Sequence, residues 1–180
     1  MADLILSGST SGAVTLSAPA VSGSTTLSLP ATSGTVLTTG STFAGTGPAF
    51  SAYQSSAQAT VTGGIWTKVV LQAEEFDTNA NFDNVTNYRF TPTVAGYYQV
   101  NGGFNNNATA GQVLVAIFKN GAEYKRGVQT PVAVEAAMGT LVHLNGSTDY
   151  VELYVHFAVT STVNPGLQLT YFNGFLARAA

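Results

Sequence analysis

The pattern of hydrophobic and polar residues is clearest in the middle of the chain, where bulky residues recur at alternate positions between Tyr98 and Phe104. A period of two is typical of a strand, whose successive side chains point to opposite faces. Tyr97, Gln99 and Asn101 fall on the other face. Pro92 lacks a backbone donor and separates this strand from the shorter one before it. We predict a long central strand whose second face is buried, either within a sandwich or against another subunit.

Short apolar runs separated by turn residues continue this pattern. They lie at 50–53, 66–71, 113–119, 139–144, 150–157 and 167–177. Asn120-Gly121 is the strongest short-range signal for a hairpin, and Asn145-Gly146-Ser147 is predicted to join its two flanking strands into another pair. Only the run 132–138 is ambiguous, and no stretch has the length and period of a convincing helix. About nine or ten strands at this spacing predict an all-β sandwich or barrel.

Residues 1–39 carry an internal repeat of 11 residues. Ser-Gly pairs begin at 11, 22 and 33, and Ile5, Leu16 and Leu27 fall in one register. Each unit is a short Thr/Val/Leu run bounded by turn residues, too small to bury an apolar face without neighbours. The alternative is a flexible Ser/Gly linker, but a linker has no need of leucines in register. We predict an extended β-repeat anchor that packs through Ile5, Leu16 and Leu27 against a particle or sister chains.

The distribution of charge supports a division into anchor and head. Charged residues make up 8% of the chain, against about 25% in ordinary proteins, and none occurs between Asp3 and Lys68. The Gly-rich stretch 40–47 is predicted to be a hinge between the anchor, 1–39, and the head, 48–180. A net charge of −3 without a basic cluster argues against nucleic-acid binding. The absence of cysteine excludes disulfides and thiolate metal sites.

The N-terminal sequence predicts where the protein is found. It has no positively charged segment of a signal peptide, and no apolar run approaches the roughly 20 residues of a membrane helix. We therefore expect a protein without a membrane span that either stays inside the cell or leaves it by a route without a cleaved signal, such as release inside a particle.

Six segments in order carry a resemblance to a known family. They are 48–52 (PAFSA), Phe90-x5-Gly96-x-Tyr98, 115–121 (VAIFKNG), 139–144 (GTLVHL), 149–153 (DYVEL) and Phe172-x-Gly174-Phe175-Leu176. Together they resemble the globular head of the first complement component and its relatives, the trimeric jelly rolls shared with tumour necrosis factor. The resemblance extends from about Pro48 to the C terminus. It implies a ten-stranded jelly-roll sandwich assembled as a threefold homotrimer.

The resemblance and the strand pattern together single out two sets of residues. The expected structural core contains Phe90, Gly96, Tyr98, Gly174 and Phe175. Gly96 is expected to let the backbone turn sharply before Tyr97, and a β-branched side chain would be strained there if its φ is positive. The expected trimer interface contains Tyr97, Gln99, Tyr150, Glu152, Tyr154 and His156. These interface residues alternate with apolar positions, and a second bulky face is unfavourable to leave in water.

Residue types that could support chemistry occur without the spacing that such sites need. His143 and His156 lie on different predicted strands and are expected to be ordinary strand residues. The acidic group lacks the ordered pattern of a calcium loop, and the family's calcium ligands have no match here; the group comprises Glu74, Glu75, Asp77 and Asp83. No serine lies in a Gly-x-Ser-x-Gly motif. We predict no catalytic, cofactor-binding or metal residue, with calcium left open, and Tyr124 beside Lys125-Arg126 as the one candidate for a glycan contact.

The N-terminal repeat resembles the stalk or anchoring segments of bacteriophage fibre and virion surface proteins. We therefore predict a structural protein of a bacteriophage particle: a homotrimeric short fibre, knob or capsid decoration (cement) protein, held by its N terminus to capsid or tail proteins. The alternative is a receptor-binding tip of a tail fibre that recognises a host-surface glycan or protein. An enzyme acting on surface polysaccharide ranks third. An anchor of about 40 residues spans at most about 130–140 Å when fully extended, which favours a short fibre or decoration protein.

Overall fold

The computed structural model describes residues 4–7, 9–17, 21, 23, 26, 47–107, 111–127, 129 and 134–180. The chain forms two compact units, Met1–Thr38 and Thr39–Ala180, which we call the N-terminal unit and the head. All the secondary-structure elements assigned within the described residues are β-strands. In particular, these residues contain no helix that is long and apolar enough to cross a membrane.

The first two strands form a hairpin in the N-terminal unit. β1 (Leu4–Ser7) and β2 (Ala13–Leu16) pair antiparallel, and Gly12 has a φ of 78° in their connection, a conformation that glycine allows. Ile5 pairs with Thr15 rather than with its repeat equivalent Leu16, and its side chain is 60% exposed. Leu27 and most of the predicted hinge lie outside the described residues. The anchor and the domain boundaries therefore stay predictions.

Thirteen strands build the described part of the head. They are β3 (Ala49–Tyr53), β4 (Gln58–Val61), β5 (Trp66–Lys68), β6 (Ala73–Asp77), β7 (Phe82–Asp83), β8 (Arg89–Phe90), β9 (Gly96–Asn105), β10 (Val113–Lys119), β11 (Ala122–Arg126), β12 (Glu135–Leu144), β13 (Val151–Phe157), β14 (Ser161–Val163) and β15 (Tyr171–Ala179). A five-stranded sheet has the order β12-β9-β15-β3-β6, and a six-stranded sheet has the order β11-β10-β13-β8-β7 with β5 also paired to β13. This architecture confirms the predicted all-β sandwich.

The observed strand boundaries agree best with the predicted ones where a turn residue ends the strand. β10 covers the predicted run, and Asn120 and Gly121 have the positive φ values, 53° and 79°, that a type I′ hairpin turn requires. The run predicted at 66–71 ends at Lys68, and the last strand begins at Tyr171 because a turn follows Gly166. The strand number exceeds ten because several pairings involve only two or three residues.

The strands on either side of Asn145 do not pair with one another, so this prediction was wrong. β12 pairs with β9 in the five-stranded sheet, whereas β13 pairs with β10 in the six-stranded sheet. Asn145 Oδ1 accepts the backbone N–H groups of Ser147, Thr148 and Asp149 at 2.9–3.0 Å. The segment is therefore a compact loop that carries the chain from one sheet to the other.

The core lies between the two large sheets and is rich in aromatic side chains. Phe50 stacks on Phe90 with a ring-centroid distance of 4.2 Å, and Phe90 meets Tyr98 edge to face at 5.6 Å. Of the residues expected in the core, Phe90, Gly96, Tyr98 and Gly174 are buried. A Cβ atom at Gly174 would lie 2.8 Å from the carbonyl oxygen of Gln99, so the close approach of β9 and β15 depends on this glycine.

Two expectations about the core need correction. Phe175 is 50% exposed, because it alternates along β15 with the buried Gly174 and Leu176 and so lies on the outer face of the sheet. Gly96 does not have a positive φ. A side chain is excluded there for another reason, since a Cβ atom would lie 2.5 Å from the carbonyl oxygen of Arg178 and 2.6 Å from Cδ1 of Leu176.

Truncation of Tyr98 tests the core. Its ring is buried, its hydroxyl donates to the carbonyl oxygen of Val94 at 2.6 Å, and burial raises the pKa of Tyr98 to about 12. We expect Tyr98→Ala to lower the free energy of unfolding by about 3–5 kcal/mol in denaturant titrations. Tyr98→Phe keeps the ring and should cost about 1 kcal/mol. An alanine variant with an unchanged denaturation midpoint would contradict the central position of this residue.

Candidate assembly face

The outer face of the five-stranded sheet, which we call the open face, presents large side chains to solvent in the described structure. On β9, β12 and β15 its residues alternate with core positions, and on β6 Phe76 lies opposite Ser51 of β3. Tyr97, Leu141, Phe175 and Phe76 are 43%, 51%, 50% and 50% exposed. The open face comprises Tyr97, Gln99, Asn101, Gly139, Leu141, His143, Asn173, Phe175 and Phe76.

The open face carries little formal charge. Its side chains are mostly aromatic, aliphatic or amide groups, although Arg178 lies opposite Tyr97 on β15 and Glu75 lies beside Phe76. The centre of this surface can therefore meet another copy without strong repulsion, whereas contacts over Tyr97 and Phe76 also involve these two charges. The open face therefore has the electrostatic character of a surface that can pack against itself.

Two open cavities border the exposed rings. One of about 530 Å³ is lined by Tyr97, Leu141 and residues 177–180. The other, about 330 Å³, lies beside Phe76, Phe175 and Asn173. A surface on which exposed rings alternate with cavities can pack with good shape complementarity against a partner.

Three amide side chains form a hydrogen-bonded chain across the middle of the open face, which we call the amide row. Gln99 Nε2 donates to Asn101 Oδ1 at 3.0 Å, and Asn101 Nδ2 donates to Asn173 Oδ1 at 3.1 Å. Gly139 lies opposite Asn101 on β12. A Cβ atom at Gly139 would lie 2.5 Å from Asn101 Oδ1, so the glycine leaves the space that the Asn101 amide occupies.

The other four residues expected in the trimer interface lie on the six-stranded sheet. Glu152 is 2% exposed, and Lys68 Nζ lies 2.5 Å from its carboxylate. Tyr154 stacks on Phe118 with a centroid distance of 3.9 Å, and His156 packs against Trp66 at 5.5 Å. Tyr150 precedes β13 on the same sheet. Side chains of the same chain thus cover much of the outer face of the six-stranded sheet. Because Tyr97 and Gln99 lie on the outer face of the other sheet, the six expected residues do not form one continuous surface.

The acidic residues mostly hold loops and strand ends. Asp77 accepts the backbone N–H of Phe82 at 2.6 Å, and Ser51 donates to Glu75 at 2.8 Å. Backbone N–H groups, that of Thr86 first, lower the pKa of Asp83 to about 2, whereas burial and then Asp77 raise the pKa of Glu74. Within the described ranges no three His, Asp or Glu side chains are grouped so that they could hold a metal ion.

The remaining candidate residues are also dispersed. His143 lies on the open face against Tyr97, at a centroid distance of 5.2 Å. His156 lies on β13 of the other sheet, so the two histidines belong to different sheets. The Lys125 amine lies over the ring of Tyr124 at 5.5 Å, on the edge strand β11. The first contact joins paired residues of β12 and β9, and the second joins neighbouring residues of β11.

Solved structures similar to this chain share its fold at very low sequence identity. Murine APRIL matches with a TM-score of 0.57 and 9% identity, covering 71% of this chain and 96% of that chain. Eiger TNF from S. frugiperda matches with 0.55 and 8%, covering 74% and 95%, and PRD1 vertex protein P5 with 0.51 and 14%, covering 73% and 99%. No protein-family model and no curated protein matches the chain. The head is a tumour necrosis factor-like jelly roll, and at these identities the similarity defines the fold alone.

Sequence reasoning missed most of the open face. It named Tyr97 and Gln99 but not Leu141, Asn173 or Phe76. The available signal was the alternation within 139–144, which places Leu141 and His143 opposite the buried Val142 and Leu144. The pairing of β12 with β9, which brings these residues beside Tyr97 and Gln99, has no local signal.

The ion pair between Lys68, whose side chain is 30% exposed, and the buried Glu152 carboxylate is expected to stabilise the six-stranded sheet. Lys68→Met leaves the Glu152 carboxylate buried without a counter-charge and should lower the free energy of unfolding by about 2–4 kcal/mol, less than for a fully buried pair because water screens the Lys68 amine. The double variant Lys68→Met/Glu152→Leu removes both charges and should recover most of this loss. Denaturant titration at neutral pH measures both. If the double variant is as unstable as Lys68→Met, the unpaired Glu152 carboxylate is not the cause of the lost stability.

Proposed function

We propose that this chain is a structural protein of a bacteriophage particle, in which three copies join through the open face to form a short fibre, a knob or a capsid decoration. The observation that carries the proposal is the contrast between the two outer faces of the head. Side chains of the same chain cover much of the six-stranded sheet, whereas the open face presents four large apolar side chains with little charge. The similarity of the fold to PRD1 vertex protein P5 supports a place on a particle.

Burial of the open face would provide the driving force for assembly. Each of the four half-exposed side chains, Tyr97, Leu141, Phe175 and Phe76, would contribute at most about 1.5–3 kcal/mol on complete burial, before the entropy of association is subtracted. The threefold arrangement follows from the resemblance of the sequence to complement-type heads. In the proposed trimer the interface contains Tyr97 and Gln99 but not Tyr150, Glu152, Tyr154 or His156.

Charge reversal of the apolar surface tests the assembly. We expect the protein to sediment as a single trimer at micromolar concentration, and Leu141→Glu and Phe175→Glu to sediment as monomers of 18.6 kDa. Both side chains are exposed in the protomer, so the far-ultraviolet circular dichroism should not change. Val85→Glu, at an apolar side chain that is 76% exposed in the loop between β7 and β8, is the matched control and should remain trimeric. An unmodified chain that sediments as a monomer would refute the proposed trimer.

The N-terminal unit is proposed to hold the protein on the particle. The chain enters the described head next to its C terminus: Leu176 N–H donates to the carbonyl oxygen of Pro48 at 3.0 Å, and Ala180 N–H to that of Ala95 at 3.1 Å. The opposite end of the head is proposed to face outward. The repeat positions Ile5, Leu16 and Leu27 would supply the apolar contacts of the anchor.

Deletion of residues 1–39 separates anchoring from folding. We expect the truncated head to keep the melting temperature of the trimer but to lose the ability to rebind particles stripped of the protein. The full-length chain, rebinding in the same preparation, is the control. Full occupancy of the particle by the truncated head, seen by electron microscopy, would show that the repeat is only a spacer.

A receptor-binding tip is the second candidate, favoured by the outward end of the head. The segments 54–65 and 157–170 at this end contain no charged residue or histidine, and Ile65, Val159 and Leu169 are exposed there. Such a surface suits an uncharged glycan or protein on the host. Saturable binding of the isolated head to host cells would favour this role over a purely structural one.

A further inference from the structure

We infer that the amide row of Gln99, Asn101 and Asn173 sets the register in which the copies of the chain join, through a closed ring of hydrogen bonds between subunits. The inference rests on the trimer proposed above and deepens it. It assigns a distinct role to the polar centre of the open face: association comes from the apolar side chains, and the choice of one arrangement comes from the amides.

The amide row is a directional chain with two free ends. Its internal hydrogen bonds run from Gln99 to Asn101 and from Asn101 to Asn173. This leaves Gln99 Oε1 as an acceptor at one end and Asn173 Nδ2 as a donor at the other. Among the described residues neither atom has a hydrogen-bond partner, and neither is a fully buried atom without a partner. Both ends are therefore available to another molecule.

The two ends are complementary to each other, so copies of the chain can join head to tail. In a threefold ring each copy donates from Asn173 to the next copy and accepts at Gln99 from the previous one. Three interfaces then contain three new hydrogen bonds, and no end is left unmatched. A closed ring also satisfies each amide that assembly removes from water, which is the condition for burying polar groups without penalty.

The position of the row explains why it acts on register. Leu141 and Phe175 lie directly beside Gln99, on β12 and β15. Apolar contacts are not directional, so these side chains alone would tolerate several relative positions of the subunits. A slipped arrangement would bury the free amide ends without partners, and it is disfavoured for this reason. Buried amides have this role at polar positions of coiled coils.

Removal of the central amide tests the role in register. Leucine is close to asparagine in shape, so Asn101→Leu breaks the row and keeps the packing. We expect native mass spectrometry to show loss of the single trimer species and a mixture of oligomers, with the circular dichroism of the head retained. Gln112→Leu, at the start of the six-stranded sheet, replaces an amide outside the row and should remain a uniform trimer. A uniform Asn101→Leu trimer would overturn the inference.

The same measurement separates the two proposals. An Asn101→Leu chain that is monomeric, while the unmodified chain is trimeric, would overturn the inference, because the row would then drive association itself. A monomeric unmodified chain would overturn the proposed assembly.

Discussion

The strict alternation of β9 is the constraint on which the rest of the head depends. Tyr98, Val100 and Phe104 fill the space between the sheets, and Gln99 and Asn101 necessarily point outward. A slip of one residue would exchange the two sets and place amides in the core. Because β12 and β15 pair with β9 along most of its length, they adopt the same alternation. One strand thus defines both the core and the open face.

The two outer faces of the sandwich differ in how far their own side chains cover them. In the six-stranded sheet β5 pairs with β13, and its side chains Trp66 and Lys68 pack against His156 and Glu152. On the open face Tyr97, Leu141, Phe175 and Phe76 are each about half exposed. An apolar face without cover is a poor surface for a soluble monomer. This difference between the two faces is therefore the physical basis for the proposed assembly, and it is the reason why the open face is proposed as the interface.

A shared fold leaves the function to particular side chains. The structures similar to this head agree with it in strand arrangement at 8–14% identity, so their residues cannot be transferred one by one. The features of this head that bear on assembly are the half-exposed apolar side chains of the open face and the amide row at its centre. These are properties of specific positions, and the proposals about assembly depend on them rather than on the jelly roll itself.

Local patterns in the sequence determined the all-β class, the span of β10 and the turn at Asn120-Gly121, because alternation and turn chemistry act between near neighbours. They also identified Tyr98 as a core residue. The tertiary structure alone decided that β12 joins β9 instead of β13, that Phe175 faces outward and that Gly96 is required by the approach of β15. It also decided which outer face is covered. These features depend on the order of strands distant in sequence, and no interaction between near neighbours determines that order.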